Sequence, residues 1–274
     1  MKTQDIANII YNRILEDKSE LISNFEKSKE AIGYFYIDNL LPEELALQIS
    51  NAFPKKEAMV LKKSLREYKY VAAQMDQYNP LLEQVIYAFQ DERIVKLVGE
   101  ICSIENPEPD ENLYAGGISL MAEGNFLNPH LDNSHDKNRN KWRVLNLLYY
   151  VTPNWEDSYG GHLEVWPKGL DNEPITIYSR FNRLAVMATH QKSWHSVSPV
   201  THNGERCCVS NYYFSDTPLT NEDQFHVTSF RARPGQKIKD VILQTDAFLR
   251  MGVRKVFKKG ITENPHVYKK DKEE

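Results

Sequence analysis

His130 and Asp132 stand two residues apart in NPHLDNSHD. In an extended chain, residues i and i+2 project to the same face, so this imidazole and carboxylate converge on one point without contortion of the backbone. That is the geometry a divalent metal ion needs. A lone His-x-Asp pair is common and says little, but His195, in WHSVSPV, follows at the far end of a strand-rich region. In a jelly roll an early and a late strand are neighbours, so a distant third ligand can meet the pair inside the barrel. Two histidines and one carboxylate on one side of an ion leave its opposite side open. Such a set suits non-haem iron(II) centres, which must bind a cosubstrate and dioxygen together. The same ligand types also suit zinc.

The elements that would position these residues change character along the chain. Residues 3 to about 102 read mostly as helix: Ile6, Ile9, Ile10, Ile14, Leu21 and Phe25 recur at helical spacing with breaks. Pro42 opens PEELALQISNAF, at a helix start where proline loses no needed hydrogen bond. Asn79-Pro80 begins another helix, and the apolar spacing resumes after Asp91-Glu92-Arg93. IENPEPDEN (104–112) reads as the main connector. From Tyr114 to about Ser215 the text is strand-like, with RVLNLLYYV, HLEVW, PITIY, RLAVMA and RCCVSNYYF separated by Gly, Pro, Asn and Asp clusters. That is the pattern of an antiparallel sandwich or barrel. IKDVILQTDAFLR (238–250) returns to helical spacing through Ile238, Val241, Ile242 and Leu249. The basic stretch after it reads as a solvated tail.

Five segments together resemble the prolyl-4-hydroxylase-like branch of the 2-oxoglutarate/iron(II)-dependent oxygenase superfamily. They are HLDNS, RVLNLLYYVTPNW, GGHLEVWP, WHSVSPV and ERCCVSNYYFS, with weaker similarity in YFYIDNLLPEELALQI. The resemblance implies an α+β fold with a double-stranded β-helix (jelly-roll) core, supporting N-terminal helices and a C-terminal helical extension. It divides the chain into a helical support region (1–112), a catalytic core (113–216) and an extension packed on that core (217–274), forming one integrated domain. It implies iron(II) on His130, Asp132 and His195, with 2-oxoglutarate and dioxygen as cosubstrates and ascorbate as a supporting reductant. Arg206, eleven residues after His195, takes the family's place for the basic partner of the far carboxylate of 2-oxoglutarate. A guanidinium fork suits that task because it can give two parallel hydrogen bonds. Ser210 shares the strand face of Arg206, and Tyr150 matches the second tyrosine of the family's double-tyrosine strand. Met121 stands near the position where several relatives place another tyrosine. The implied reaction hydroxylates an aliphatic C–H of a small molecule, an amino acid or a prolyl residue, giving succinate and carbon dioxide. The retained carboxylate of Asp132 disfavours halogenation, because related halogenases put a small residue there.

Arg143, His135 and Trp194 are candidate substrate contacts, since each lies beside one of these motifs. The remaining histidines read as surface or strand-end residues, and Gly160-Gly161 as a tight hairpin. A zinc-dependent hydrolase and a non-catalytic binding module on the same scaffold are the rival readings. The hydrolase leaves Arg206, Ser210 and Tyr150 without a task, and a complete ligand set argues against the module. The net charge of −4 over 274 residues gives no basic face for nucleic acid. No apolar run is long enough for a membrane span, and the N-terminus does not read as a signal peptide. Three cysteines, two of them adjacent, do not form a disulfide framework. Reduced thiols and iron(II) chemistry both point to a cytoplasmic setting. The expected partner is a small-molecule or peptide substrate, with the oligomeric state open.

Overall fold

The computed structural model describes residues 2–257, 267 and 268. Its helices are α1 (Thr3–Glu16), α2 (Lys18–Lys29), α3 (Glu43–Ala52), α4 (Pro80–Ala88), α5 (Glu92–Ile101) and α6 (Lys237–Val256). The strands begin with β1 (Tyr34–Ile37), β2 (Val60–Lys63), β3 (Glu67–Ala72), β4 (Glu108–Pro109) and β5 (Gly117–Met121). They continue with β6 (Phe126–Leu131), β7 (Trp142–Tyr150), β8 (Leu163–Val165), β9 (Ile175–Ile177) and β10 (Arg183–Ala188). β11 (His195–Val197), β12 (Arg206–Ser215) and β13 (Ser229–Phe230) complete the set. One curled antiparallel sheet runs β1-β10-β7-β12-β5-β3-β6-β11-β8-β9, with β2 on β3, β4 on β12 and β13 on β6. This is a jelly-roll barrel braced by helices, an α+β fold.

Alternation along the long strands divides its two faces. Leu145, Leu147 and Tyr149 of β7 and Val209 and Tyr213 of β12 face outward, into a core shared with Ile6, Ile10 and Ile14 of α1 and with α4 and α5. Asn146, Leu148 and Tyr150 of β7, and Arg206, Cys208, Ser210 and Tyr212 of β12, face the barrel interior. The helices start where the sequence offers caps. Asn79 accepts a hydrogen bond from the Leu81 amide at 3.0 Å and Asp91 one from the Arg93 amide at 3.0 Å. The charged break before α5 is thus its N-cap.

Several expectations change. The stretch read as mostly helix contains β1, β2 and β3. β3 joins the barrel wall between β5 and β6, so 60–72 supplies part of the cavity rather than an outer support. Its apolar alternation is blurred by Lys62, Lys63, Glu67 and Lys69, whose polarity makes sense only where a strand faces a wet cavity. Gly160 and Gly161 do not turn a hairpin, because β7 pairs with β10 and β12 whereas β8 pairs with β9 and β11. Both have positive φ, +73° and +69°, and a Cβ on Gly160 would lie 2.0 Å from the Pro199 carbonyl oxygen. Their task is close passage over the end of β11.

The apolar stripe expected to seat α6 faces outward: Ile238 is 81% and Val241 63% exposed, and Leu243 is the buried residue of that helix. The tail beyond 257 lies outside the described residues except for Val267 and Tyr268. These two are buried, with the Tyr268 hydroxyl donating to Glu83 at 3.0 Å. All three cysteines are free and buried. Among the described residues no helix is long and apolar enough to cross a membrane.

Candidate active site

β6 and β11 lie side by side with His195 in register with His130, which joins residues 65 positions apart in the chain. Asp132 follows β6 directly. One ligand atom from each of His130, Asp132 and His195 lies within 4.8 Å of the others. His130 Nε2 is 3.6 Å from Asp132 Oδ1, and His195 Nε2 is 3.7 Å from Asp132 Oδ2.

The outer nitrogens fix the tautomers. His130 Nδ1 is 3.0 Å from the Asn128 carbonyl oxygen and His195 Nδ1 is 2.9 Å from that of Ser193. A carbonyl can only accept, so each Nδ1 carries the hydrogen and each Nε2 turns a lone pair toward the shared point. Burial, followed by the neighbouring His130, lowers the pKa of His195 to about 4, which keeps its imidazole neutral. Phe230 stacks on the His130 ring at 5.1 Å between centroids.

Burial by itself would raise the carboxyl pKa of Asp132. Arg143 and the two imidazoles outweigh it and hold the group well below the usual carboxylate range. Arg143 Nη1 is 3.5 Å from Asp132 Oδ2, and its guanidinium lies 4.5 Å from the centre of the Tyr212 ring. Asp132 Oδ2 nevertheless has no hydrogen-bond donor although it is buried. A partnerless buried carboxylate oxygen beside an imidazole lone pair is costly unless a cation completes it. The donor set therefore fits a divalent metal ion.

Two cavities meet at these residues. The inner one, about 120 Å³, is lined by Tyr150, Arg206, Cys208 and Ser210 as well as the triad. Arg206 is buried, its Nε has no acceptor, and its guanidinium lies 5.3 Å from the Tyr150 ring centre. A Cβ on Gly161 would come within 3.2 Å of Arg206 Cδ, so glycine leaves room for that side chain. The register puts Met121 directly across from Arg206, and Ser210 between Gly117 of β5 and Leu148 of β7. A buried cation with an open nitrogen at one wall, and the triad at another, accommodate a short dianion.

The outer cavity, about 820 Å³, opens onto the triad from the other side. β3, β6, the segment around Val227–Phe230 and α6 all contribute to its wall. Arg143 lines it. His135 and Trp194 are not among the described residues that line either cavity. His135 is instead buried against Phe225 at 4.9 Å, with its Nδ1 2.7 Å from the Asp136 carbonyl oxygen. Trp194 precedes the ligand strand, and its backbone carbonyl accepts from the Trp166 amide at 2.9 Å.

Lys69, Asn146 and Tyr212 line the inner cavity but were not anticipated. For two of them the signal was present, since Asn146 has the strand parity of Tyr150, and Tyr212 that of Arg206 and Ser210. Lys69 carries no such mark, because it belongs to a strand read as helix. His162, buried between Ser179 Oγ and the Asp157 carbonyl at 2.9 Å each, is a satisfied structural histidine, as expected.

Residues 116–214 match the family model described as the 2OG-Fe(II) oxygenase superfamily. That match runs from β5 into β12, so the strand-rich core is what is similar to this superfamily. The fold of the chain is similar to that of a prolyl-4-hydroxylase from Pseudomonas putida, with a TM-score of 0.53 and 16% identity over 71% of this chain and 98% of that one. Prolyl 4-hydroxylase from Phytophthora capsici gives 0.55 and 15% identity, over 91% of this chain and 77% of that one. The non-heme alpha-ketoglutarate-dependent carbocyclase SnoK from nogalamycin biosynthesis gives 0.53 and 14% identity, over 79% and 87% of the two chains. Comparison with curated protein sequences returned no match. Iron(II) and 2-oxoglutarate, the pair in that family's description, fit the His130, Asp132 and His195 donor set and the buried Arg206, whose Nε has no acceptor.

Proposed function

We propose that this chain is an oxygenase that binds iron(II) through His130 Nε2, Asp132 and His195 Nε2. It anchors the far carboxylate of 2-oxoglutarate on Arg206, assisted by Ser210 and Tyr150. With these it hydroxylates an unactivated C–H of a small molecule, an amino acid or a prolyl residue, releasing succinate and carbon dioxide. When bound, iron and 2-oxoglutarate would let dioxygen act as the oxidant, one of its oxygen atoms entering the substrate C–H bond and the other the succinate.

The chain's own residues supply position and electrostatics. Asn128 and Ser193 hold the two imidazoles by their Nδ1 hydrogens, so neither ring can swing away from the ion. Arg143 keeps Asp132 ionised and limits the freedom of its Oδ2. Arg206 lies in a largely dry barrel, where attraction to a carboxylate is stronger than in water. Ser210 adds a hydroxyl on the same strand face. Burial raises the pKa of the Tyr150 phenol, keeping it a hydrogen-bond donor throughout the working pH range.

The observation that carries this reading is the Asp132 carboxylate, one oxygen toward each imidazole Nε2 and its buried Oδ2 without a donor, at the end of a cavity that holds Arg206. Succinate formation from 2-oxoglutarate, with iron(II) and ascorbate added, tests it directly. No turnover, coupled or uncoupled, together with no visible absorption band on anaerobic addition of iron(II) and 2-oxoglutarate, would overturn the reading.

A further inference from the structure

The wall of the outer cavity carries six basic side chains: Lys62, Arg66, Lys69, Arg143, Arg250 and Arg254. Two carboxylates, Glu67 and Asp132, share that wall with them. Lys69 pairs with Glu67 at 3.1 Å and Arg143 faces Asp132 at 3.5 Å. Arg66 and Arg250 share a single carboxylate, Asp246, which lies 3.0 Å from Arg250 Nε. Arg254 and Lys62 have no ion-pair carboxylate among the described residues. Among the described residues Arg254 Nη2 meets His135 Nε2 at 3.5 Å, on a ring that burial keeps neutral. Three guanidinium nitrogens at this wall, Arg143 Nε, Arg250 Nη2 and Arg254 Nε, are buried without an acceptor. Positive charge therefore exceeds negative charge in a chamber that opens onto the proposed metal site.

We propose that the outer cavity selects a small substrate bearing a carboxylate or phosphate group, seated on Arg250 and Arg254 of α6 while its oxidisable carbon faces the triad. This rests on the proposed oxygenase reading for the position of the reacting carbon. Three further features support it. About 820 Å³ falls in the size range of small-molecule pockets. Val227, Phe230, Leu249 and Val253 give the same wall an apolar side for the body of such a molecule. The like charges of Arg66 and Arg250 disfavour each other, and burial adds to this by lowering the Arg250 pKa. A bound anion relieves both effects.

The test uses Mn(II)- and 2-oxoglutarate-loaded protein, titrated calorimetrically with phenyl phosphate, benzoate and the neutral benzyl alcohol. At low ionic strength either anion should bind at least about tenfold more tightly than benzyl alcohol, an advantage that added salt reduces. Preference for phenyl phosphate assigns a phosphate substrate, and preference for benzoate a carboxylate. The double variant Arg250→Ala/Arg254→Ala should lose that advantage, whereas Arg254→Lys, which keeps the charge, should retain most of it. Because α6 buries only Leu243, these variants should keep the melting temperature of the parent. Equal binding of anion and alcohol, or anion binding unchanged in the double variant, overturns the proposal. Heat of 2-oxoglutarate binding on the same samples reads the inner cavity separately. Its loss would strike the oxygenase reading, and phenyl phosphate titrated into unloaded protein would still test the basic wall.

Discussion

The inner and outer cavities share His130 and Asp132 but are built in opposite ways. The inner one is walled by the interior faces of long, fully paired strands whose outer faces lock into the main core with α1, α4 and α5. The outer one is closed by α6, a helix of 20 residues that buries one side chain and holds on mainly through ion pairs such as Arg231–Asp240 at 2.7 Å. Rigid alternation suits groups that must meet a metal and a fixed cosubstrate within fractions of an ångström. A loosely seated helix suits the side that admits and selects a varied partner, because its local opening costs little. The chemistry is thus attached to the most cooperative part of the molecule and the selectivity to the least.

Changes in the two regions should separate accordingly. Asp132→Ala removes the only carboxylate of the triad and leaves Arg143 buried without its counter-charge. Iron-dependent succinate formation should drop by roughly a thousandfold or more, consistent with loss of about 4 kcal/mol or more of stabilisation. Retained turnover would detach the chemistry from the triad. Ile10→Ala empties a fully buried site beneath the inner cavity and should lower unfolding stability by about 2–5 kcal/mol. Chemical denaturation measures this, and a change below about 1 kcal/mol would contradict the cooperative-core description.

Arg206→Ala should raise the 2-oxoglutarate requirement by roughly 10- to 100-fold while leaving metal affinity nearly unchanged, the loss expected for a charged hydrogen bond. An unchanged requirement would remove Arg206 from its assigned place. Ser210→Ala, which deletes a neutral donor on the same face, should raise that requirement only about fivefold. At the far end of the scale, Ile238→Ala on the exposed stripe of α6 should alter stability by no more than about 0.5 kcal/mol. A larger loss would mean that this stripe is covered in solution, which calorimetry at two protein concentrations would reveal.

Local rules made part of the site legible in the residues alone. The two-residue spacing of His130 and Asp132, and the four-residue spacing of Arg206 and Ser210, follow from strand alternation wherever the strands lie. Tyr150 came from the resemblance, and alternation carried four residues back from it to Asn146 and two on from Ser210 to Tyr212 would have marked those two as well. Helix periodicity worked for α1 and α4, whose apolar faces meet the main core. It found α6 as well but not how that helix is seated, since Ile238, Val241 and Ile242 form a stripe with no partner among the described residues and the helix is held through Leu243 and charges. It also hid β3, since a strand facing a wet cavity carries Lys and Glu where a buried strand would show Val or Ile.

What the chain determined by itself was therefore the local presentation of its reactive side chains: a histidine and a carboxylate on one face, an arginine and a serine on another. Only the tertiary structure decided that His195 lies opposite His130, that Arg143 fixes the charge of Asp132, and that Arg66, just before β3, lines the same cavity as Arg250 and Arg254 of α6. His130 and His195 are 65 positions apart, and Arg66 lies 184 and 188 positions before Arg250 and Arg254. No periodicity reaches so far, because such contacts are set by how a curled sheet closes and which loops its edges admit, not by the conformation of any one segment. The metal triad could be anticipated from spacing and resemblance. The basic chamber in front of it could not.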